Sequence, residues 1–254
     1  MVPTPSAAWR GPRPGIASVR YVLALLFVLL ATAMVAAYPR CDHYVQRNHG
    51  SGDRPLLVML HGTNGKGSLL ISRLRPLADR ERFIVVAPDS VSPSGVWDAG
   101  QRPDQVTEDY RHIMRCVRQV MAFPGVRVDP GRVLIAGVSA GSAAAAYVAT
   151  HEELFTAFAV LHGHIIPEGF GPRRVPGWFS TGDRDRRRTV EQVRSAAEHL
   201  RRDRHFPDIE MRVFRAGHAL PDDELDALVA WWLHRDRRSA AGMTATARSM
   251  DEPR

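Results

Sequence analysis

Cysteine is scarce in this 254-residue chain, which has only Cys41 and Cys116. There is no CxxC and no Cys/His spacing of the zinc type, so the sequence gives a structural metal no support. Acidic residues are missing from the first 37 positions, where Arg10, Arg13 and Arg20 supply three of the formal net charge of +7. The remaining excess is mild and scattered among acids, which reads as a solvated surface rather than a nucleic-acid footprint. No internal repeat is visible. Aromatics are few at 7%, yet 44% hydrophobic and 24% charged residues form an ordinary globular balance. That balance excludes a disordered, collagen-like or fibrous chain. The length suits one domain with a core large enough to need no staples.

One long uncharged run is present, YVLALLFVLLATAMVAA at 21–37, behind the three arginines. A positive region, an apolar region and then small residues are the layout of a secretory signal, with cleavage expected before Tyr38. An uncleaved anchor is the competing reading, because the run is at the short limit for a membrane span. Either way the chain is expected to work outside the cytoplasm. The expected organisation is a signal or anchor at 1–37, a catalytic domain at 38–238 and a disordered tail at 239–254, where apolar periodicity is absent. In an oxidising compartment Cys41 and Cys116 could pair. Alternatively Cys116, at helical spacing from Ile113, Val117 and Val120, is simply a small buried side chain.

From residue 54 onward short apolar runs alternate with longer amphipathic ones. Strands are expected at Leu56–Leu60, Phe83–Ala87, Val133–Val138, Ala157–Leu161, Val175–Ser180 and Ile209–Phe214. Helices are expected at Leu69–Asp79, Gln105–Met121, Ser142–Thr150, Thr189–Arg202 and Asp222–His234. Runs that are apolar throughout suit a mostly parallel, doubly wound sheet with helices on both faces. Pro221 followed by Asp222, Asp223 and Glu224 is a favourable helix start, with carboxylates at the positive end of the macrodipole.

Chemistry in such sheets sits at the carboxyl ends of the strands. There the sequence places His61-Gly62-Thr63, then Ser139 within Gly137-Val138-Ser139-Ala140-Gly141, then Thr181-Gly182-Asp183-Arg184-Asp185, then Ala216-Gly217-His218. The GxSxG form lets a strand turn sharply into a helix with the serine held above the sheet, because small residues on either side admit the neighbouring backbone. A serine hydroxyl needs a base. His218 is the best placed, with His162 and His164 as rivals that also follow a strand. A carboxylate must then fix the imidazole tautomer, and Asp183 and Asp185 compete for that position. Backbone amides of Ala140 and Thr63 are the expected oxyanion donors, each worth about 3 kcal/mol in a transition state. The chain order of nucleophile, acid and histidine is that of an α/β-hydrolase.

With these residues in place, the stretch from about Pro55 to Leu233 resembles the extracellular esterases of the polyhydroxybutyrate depolymerase and feruloyl esterase type. The resemblance is carried by PLLVMLHG at 55–62, LADR at 77–80 with FIVVAPD at 83–89, VDPGRV at 128–133 and the serine elbow. It implies an α/β-hydrolase fold, cleavage of carboxylic esters through an acyl-enzyme on Ser139, no cofactor, and a tryptophan (Trp97) near the pocket. The family's acid lies three residues after the glycine of a GxxD turn, which selects Asp185. Ser142 and Arg186 stand where the family often has glycine and proline. The expected partner is a small or polymeric ester, with no nucleic acid. The membrane would be met only through an uncleaved anchor.

Two other readings compete. GTNGKGS at 62–68, after an apolar strand and with Asp89 ending the next, resembles the phosphate loop of folylpolyglutamate synthases, although the spacing between its glycines is short. A hydrolase fold used only for binding is the other, because fold does not guarantee activity.

Overall fold

The computed structural model describes Tyr21 and residues 40–46, 52–99, 106–202, 204–206 and 208–235. The rest of the 21–37 run and the 239–254 tail lie outside the described residues. The chain divides into two units, Met1–Tyr38 and Pro39–Arg254, and the sheet with its helices belongs to the second. Among the described residues no helix is long and apolar enough to cross a membrane.

The strands are β1 (Cys41–Tyr44), β2 (Arg54–Leu60), β3 (Ile84–Pro88), β4 (Val128–Val138), β5 (Ala157–Leu161), β6 (Gly177–Gly182) and β7 (Ile209–Phe214). They form one sheet in the order β1-β3-β2-β4-β5-β6-β7. β1 runs antiparallel to β3, and every other neighbouring pair is parallel. The helices are α1 (Gly67–Glu81), α2 (Glu108–Met121), α3 (Gly141–His151), α4 (Val190–Arg202) and α5 (222–235).

The expected elements are all present, with shifted ends that have local causes. β6 begins at Gly177 rather than Val175 because Pro176 has no N–H to give the ladder. α2 begins at Glu108 because the Thr107 side chain accepts the Tyr110 amide and stops the helix there. Nothing in the sequence marks β1. Its four residues include the polar Asp42 and His43, so there is no apolar run to detect.

β2 is buried along its whole length, and its pleat divides the core in two. Leu56, Val58 and Leu60 face one cluster with residues of α2, α3 and α4. Leu57 and Met59 face the other, with Leu74 and Leu77 of α1 and Leu228, Val229 and Trp231 of α5. Alternate residues burying on opposite faces is what a sheet covered on both sides requires. α3 is apolar or small all round and buried from Gly141 to Thr150. The chain leaves β2 for β3 on one side and returns to β4 on the other. Their carboxyl ends therefore flank the crevice where the winding reverses, the position at which open α/β sheets bind ligands.

Cys41 on β1 and Cys116 on α2 are joined by a disulfide across 75 residues of sequence. Of the two readings open for Cys116, the structure selects the paired one, and the buried helical position is where the bond is made. Closing a loop of that length restricts the unfolded chain by about 4 kcal/mol in the entropic model. Replacing both cysteines by alanine is expected to lower stability by about 2–4 kcal/mol, read as a lower urea midpoint. Adding reductant to the variant should produce no further change.

Candidate active site

The elbow after β4 is built by close backbone packing. A β-carbon at Gly137 would lie 2.1 Å from the Gly141 carbonyl oxygen, so only glycine lets β4 and α3 meet at this angle. Ser142 is fully buried and donates its hydroxyl to the Gly137 carbonyl at 2.8 Å. Here a side chain fastens the turn. Ser139 is held at φ 51°, a left-handed conformation that costs a non-glycine residue about 1–3 kcal/mol and persists only where its surroundings impose it. They do: its amide donates to the Leu161 carbonyl at 2.8 Å, and its carbonyl accepts from the Ser142 amide at 3.2 Å.

The strand ends then converge. The Ser139 hydroxyl lies 2.9 Å from His218 Nε2, and His218 Nδ1 lies 2.8 Å from Asp185 Oδ2. Asp185 Oδ1 accepts the backbone amides of Arg187 at 2.8 Å and Arg188 at 3.0 Å. Burial by itself would raise this carboxyl. Hydrogen bonds from His162, the Arg188 amide, His218 and the Arg187 amide outweigh it and hold the group at about 2. An ionised carboxylate only accepts, so the His218 proton belongs on Nδ1 and Nε2 is left to accept from Ser139. Of the two competing acids the structure brings Asp185 to His218. Asp183 instead accepts the Ala216 amide at 3.1 Å and faces the exposed Arg184.

On the other side of the crevice the β2 turn is pinned. The Gly62 carbonyl accepts the Gly65 amide at 2.9 Å and lies 2.6 Å from His61 Nδ1. Because Ser90 donates its amide to His61 Nε2 at 3.0 Å, the ring is neutral with its proton on Nδ1. Burial lowers its pKa and favours that form. Trp97 is fully buried, stacks tilted against His61 and donates its indole N–H to the His61 carbonyl at 2.8 Å. Its place is against the turn that carries His61 and Gly62. In a trans peptide the carbonyl and the N–H point opposite ways, so the Thr63 amide is turned away from His61. A β-carbon at Gly62 would lie 3.4 Å from the Ser139 Cβ, which sets this turn beside the hydroxyl. Ala140 is the N-cap of α3, where backbone amides are left free for an anion.

The structure corrects the phosphate-loop reading. Asp89 Oδ1 accepts the Gly67 amide at 2.7 Å, and Lys66 Nζ lies 3.4 Å from Asp89 Oδ2. A carboxylate therefore occupies the helix N-terminus that a phosphate would need.

Sequence reasoning missed a group behind the acid. His162 Nδ1 is 2.9 Å from Asp185 Oδ2 and its Nε2 is 2.8 Å from Glu224 Oε2. Glu224, one of the three acids at the expected helix start, is fully buried, while Asp222 and Asp223 are exposed. His164, the other rival base, faces Arg188 at 3.2 Å, and its pKa is lowered by burial and by that guanidinium. Asp109 was also missed. It accepts the Val91 and Asp98 amides at 2.7 and 2.8 Å and ties down the loop that carries Trp97.

Two clusters among the described residues have ligand atoms close enough to hold a metal ion, His162/Asp185/His218 and Cys41/His112/Cys116. Hydrogen bonds account for the closeness of the first. In the second the sulfurs are bonded to each other, so neither is available as the thiolate that a metal binds.

No protein-family model matches the chain, nor does any curated protein sequence. Solved structures do. An esterase, PE8, superimposes with a TM-score of 0.59 at 19% identity, over 76% of this chain and 97% of that one. An acyl-protein thioesterase 2 from Zea mays gives 0.55 at 16% identity, over 76% and 97%. A phospholipase/carboxylesterase from Dyadobacter fermentans gives 0.54 at 17% identity, over 75% and 94%. The chain has the α/β-hydrolase fold. Within that fold Ser139 stands on the sharp turn between β4 and α3, and Asp185 and His218 occupy the loops after β6 and β7.

Proposed function

We propose that this α/β-hydrolase-fold chain is a serine hydrolase that cleaves carboxylic esters. One observation carries the reading: an unbroken line of hydrogen bonds from Ser139 through His218 to Asp185, starting on a strained elbow at the point where the sheet winding reverses. In the proposed reaction Ser139 Oγ attacks the ester carbonyl as His218 Nε2 takes its proton. Asp185 stabilises the imidazolium, and the amides of Ala140 and Thr63 receive the oxyanion. Collapse expels the alcohol, which is protonated by His218. Water then attacks the acyl-enzyme under the same base and frees the acid. Structural neighbours described as an esterase, a phospholipase/carboxylesterase and an acyl-protein thioesterase support the reading.

Within the same proposal the substrate is a short-acyl, feruloyl or polyhydroxyalkanoate ester, and the enzyme acts after export. The apolar run at 21–37 and the Cys41–Cys116 disulfide, a bond that persists in oxidising compartments, support export. A fluorophosphonate probe should label Ser139 at neutral pH, with labelling abolished by heat denaturation. Rates on p-nitrophenyl esters of increasing chain length, a feruloyl ester and a polyester film should single out one class. A folded protein that neither labels nor turns over any of them would mean a binding module instead.

A further inference from the structure

Asp185 has imidazoles on two sides. Its Oδ2 meets His218 Nδ1 at 2.8 Å and His162 Nδ1 at 2.9 Å, and the two rings stand edge to face with centroids 5.9 Å apart. The far nitrogen of His162 meets Glu224, whose other oxygen accepts the Ser180 hydroxyl at 2.5 Å. His162, Glu224 and Ser180 are buried at 1% exposure or less. With an ionised carboxylate at each ring nitrogen, His162 satisfies both by donating from both, that is, as an imidazolium. Burial works against that charge, but Glu224 and Asp185 outweigh it and raise the His162 pKa. The backbone of His162 is itself left-handed, φ 48°, a cost that persists only where the surroundings impose it.

A buried ion pair of this kind is weak evidence for stability, since apolar side chains of the same volume do as well or better. Its position points to chemistry instead. We propose that His162 and Glu224 are positioning residues for ester hydrolysis, an imidazolium–carboxylate pair that aims Asp185 at His218 and tempers the acid's pull on the proton His218 receives, so that activity extends toward acid pH. This inference rests on the ester-hydrolase reading. The titratable groups facing the His162 ring are Asp185 from the loop after β6, Glu224 from α5, and His218 from the loop after β7. When His218 takes the serine proton, two positive rings share one carboxylate, and His162 opposes the second charge. Removing the Glu224 charge lets His162 go neutral, with Nδ1–H still donated to Asp185 and Nε2 accepting from the new amide. The opposition is then gone, and His218 holds its proton to higher pH.

The test is Glu224→Gln in the full chain, with kcat/KM for p-nitrophenyl acetate measured across pH. The acid limb, which reports the free enzyme's base, is expected to move up by about one pH unit, as befits like charges about 6 Å apart in a partly screened site. At about pH 5 the loss is then about tenfold, smaller at about pH 8, and carried by kcat rather than KM. Glu224→Asp, which keeps the charge, should leave the limb closer to its wild-type position. Nitrogen-15 spectra of the resting wild type, which need no variant to fold, should show both His162 ring nitrogens protonated at neutral pH. A neutral His162 in those spectra would overturn the proposal. So would an unmoved acid limb in an active Glu224→Gln protein whose only change is a lower melting temperature. A wild type without turnover would overturn the hydrolase reading together with it, whereas an active wild type with an unmoved limb overturns the positioning role alone.

Discussion

Ser139→Ala is expected to lower kcat by about 10⁴–10⁶-fold and to leave the fold intact. The alanine keeps the β-carbon, so it neither relieves the left-handed backbone at 139 nor opens a cavity under the elbow. What disappears is the oxygen 2.9 Å from His218 Nε2. The proposed oxyanion amides and the binding surface remain, and they account for the small rate left over water. Losing one partly exposed hydrogen bond costs about 1 kcal/mol at most, so urea midpoints of the variant and the wild type should nearly coincide. Fluorophosphonate labelling should vanish.

Asp185→Asn should lower kcat by about 10⁴-fold, the scale found when a triad acid loses its charge but keeps its shape. An amide in that place offers N–H groups toward His218 Nδ1 and His162 Nδ1, both of which donate in the wild type. Either the amide turns its oxygen to the rings and deprives the Arg187 and Arg188 amides of their acceptor, or His218 adopts the tautomer that cannot accept from Ser139. The same carboxylate also makes stability depend on pH. Its folded pKa is depressed to about 2, below the ordinary value near 4, so the unfolded chain binds the proton more readily. The stabilisation, about 2 kcal/mol, is fully present above about pH 4 and is lost as pH falls toward 2. Urea unfolding at neutral pH and again near pH 3 should show the wild type losing part of this stabilisation and Asp185→Asn losing none of it.

How far the sequence can be read depends on the range of the forces involved. β2, β3 and β5 are buried at every position, and burial on both faces leaves an apolar run that needs no partner to be recognised. The elbow is legible for the same reason, because its small residues answer a local steric demand within five positions. Thr107 and Pro176 each set the start of an element within a few residues of themselves, yet apolar runs alone pass over both and misplace those ends. β1 is invisible in the sequence, because what holds it is a disulfide to a helix far along the chain and a ladder to β3.

The site divides along the same line. That a serine, an acid and a histidine each follow a strand is written in the sequence, since a parallel sheet delivers all its carboxyl ends to one edge. The choice of Asp185 over Asp183 hangs on one spacing until the fold turns one carboxylate toward His218 and the other toward Ala216. Glu224 carries no local signal of its role: three acids at a helix start look alike, and only the packing of α5 against the sheet draws the third into the core beside His162 and Ser180. Sequence alone therefore determined the layers, the elbow and the set of candidate side chains, because short-range sterics and hydrophobic burial act on neighbouring residues. Tertiary structure decided which charges meet, because the partners at 139, 162, 185, 218 and 224 come within hydrogen-bonding distance only after the sheet has formed.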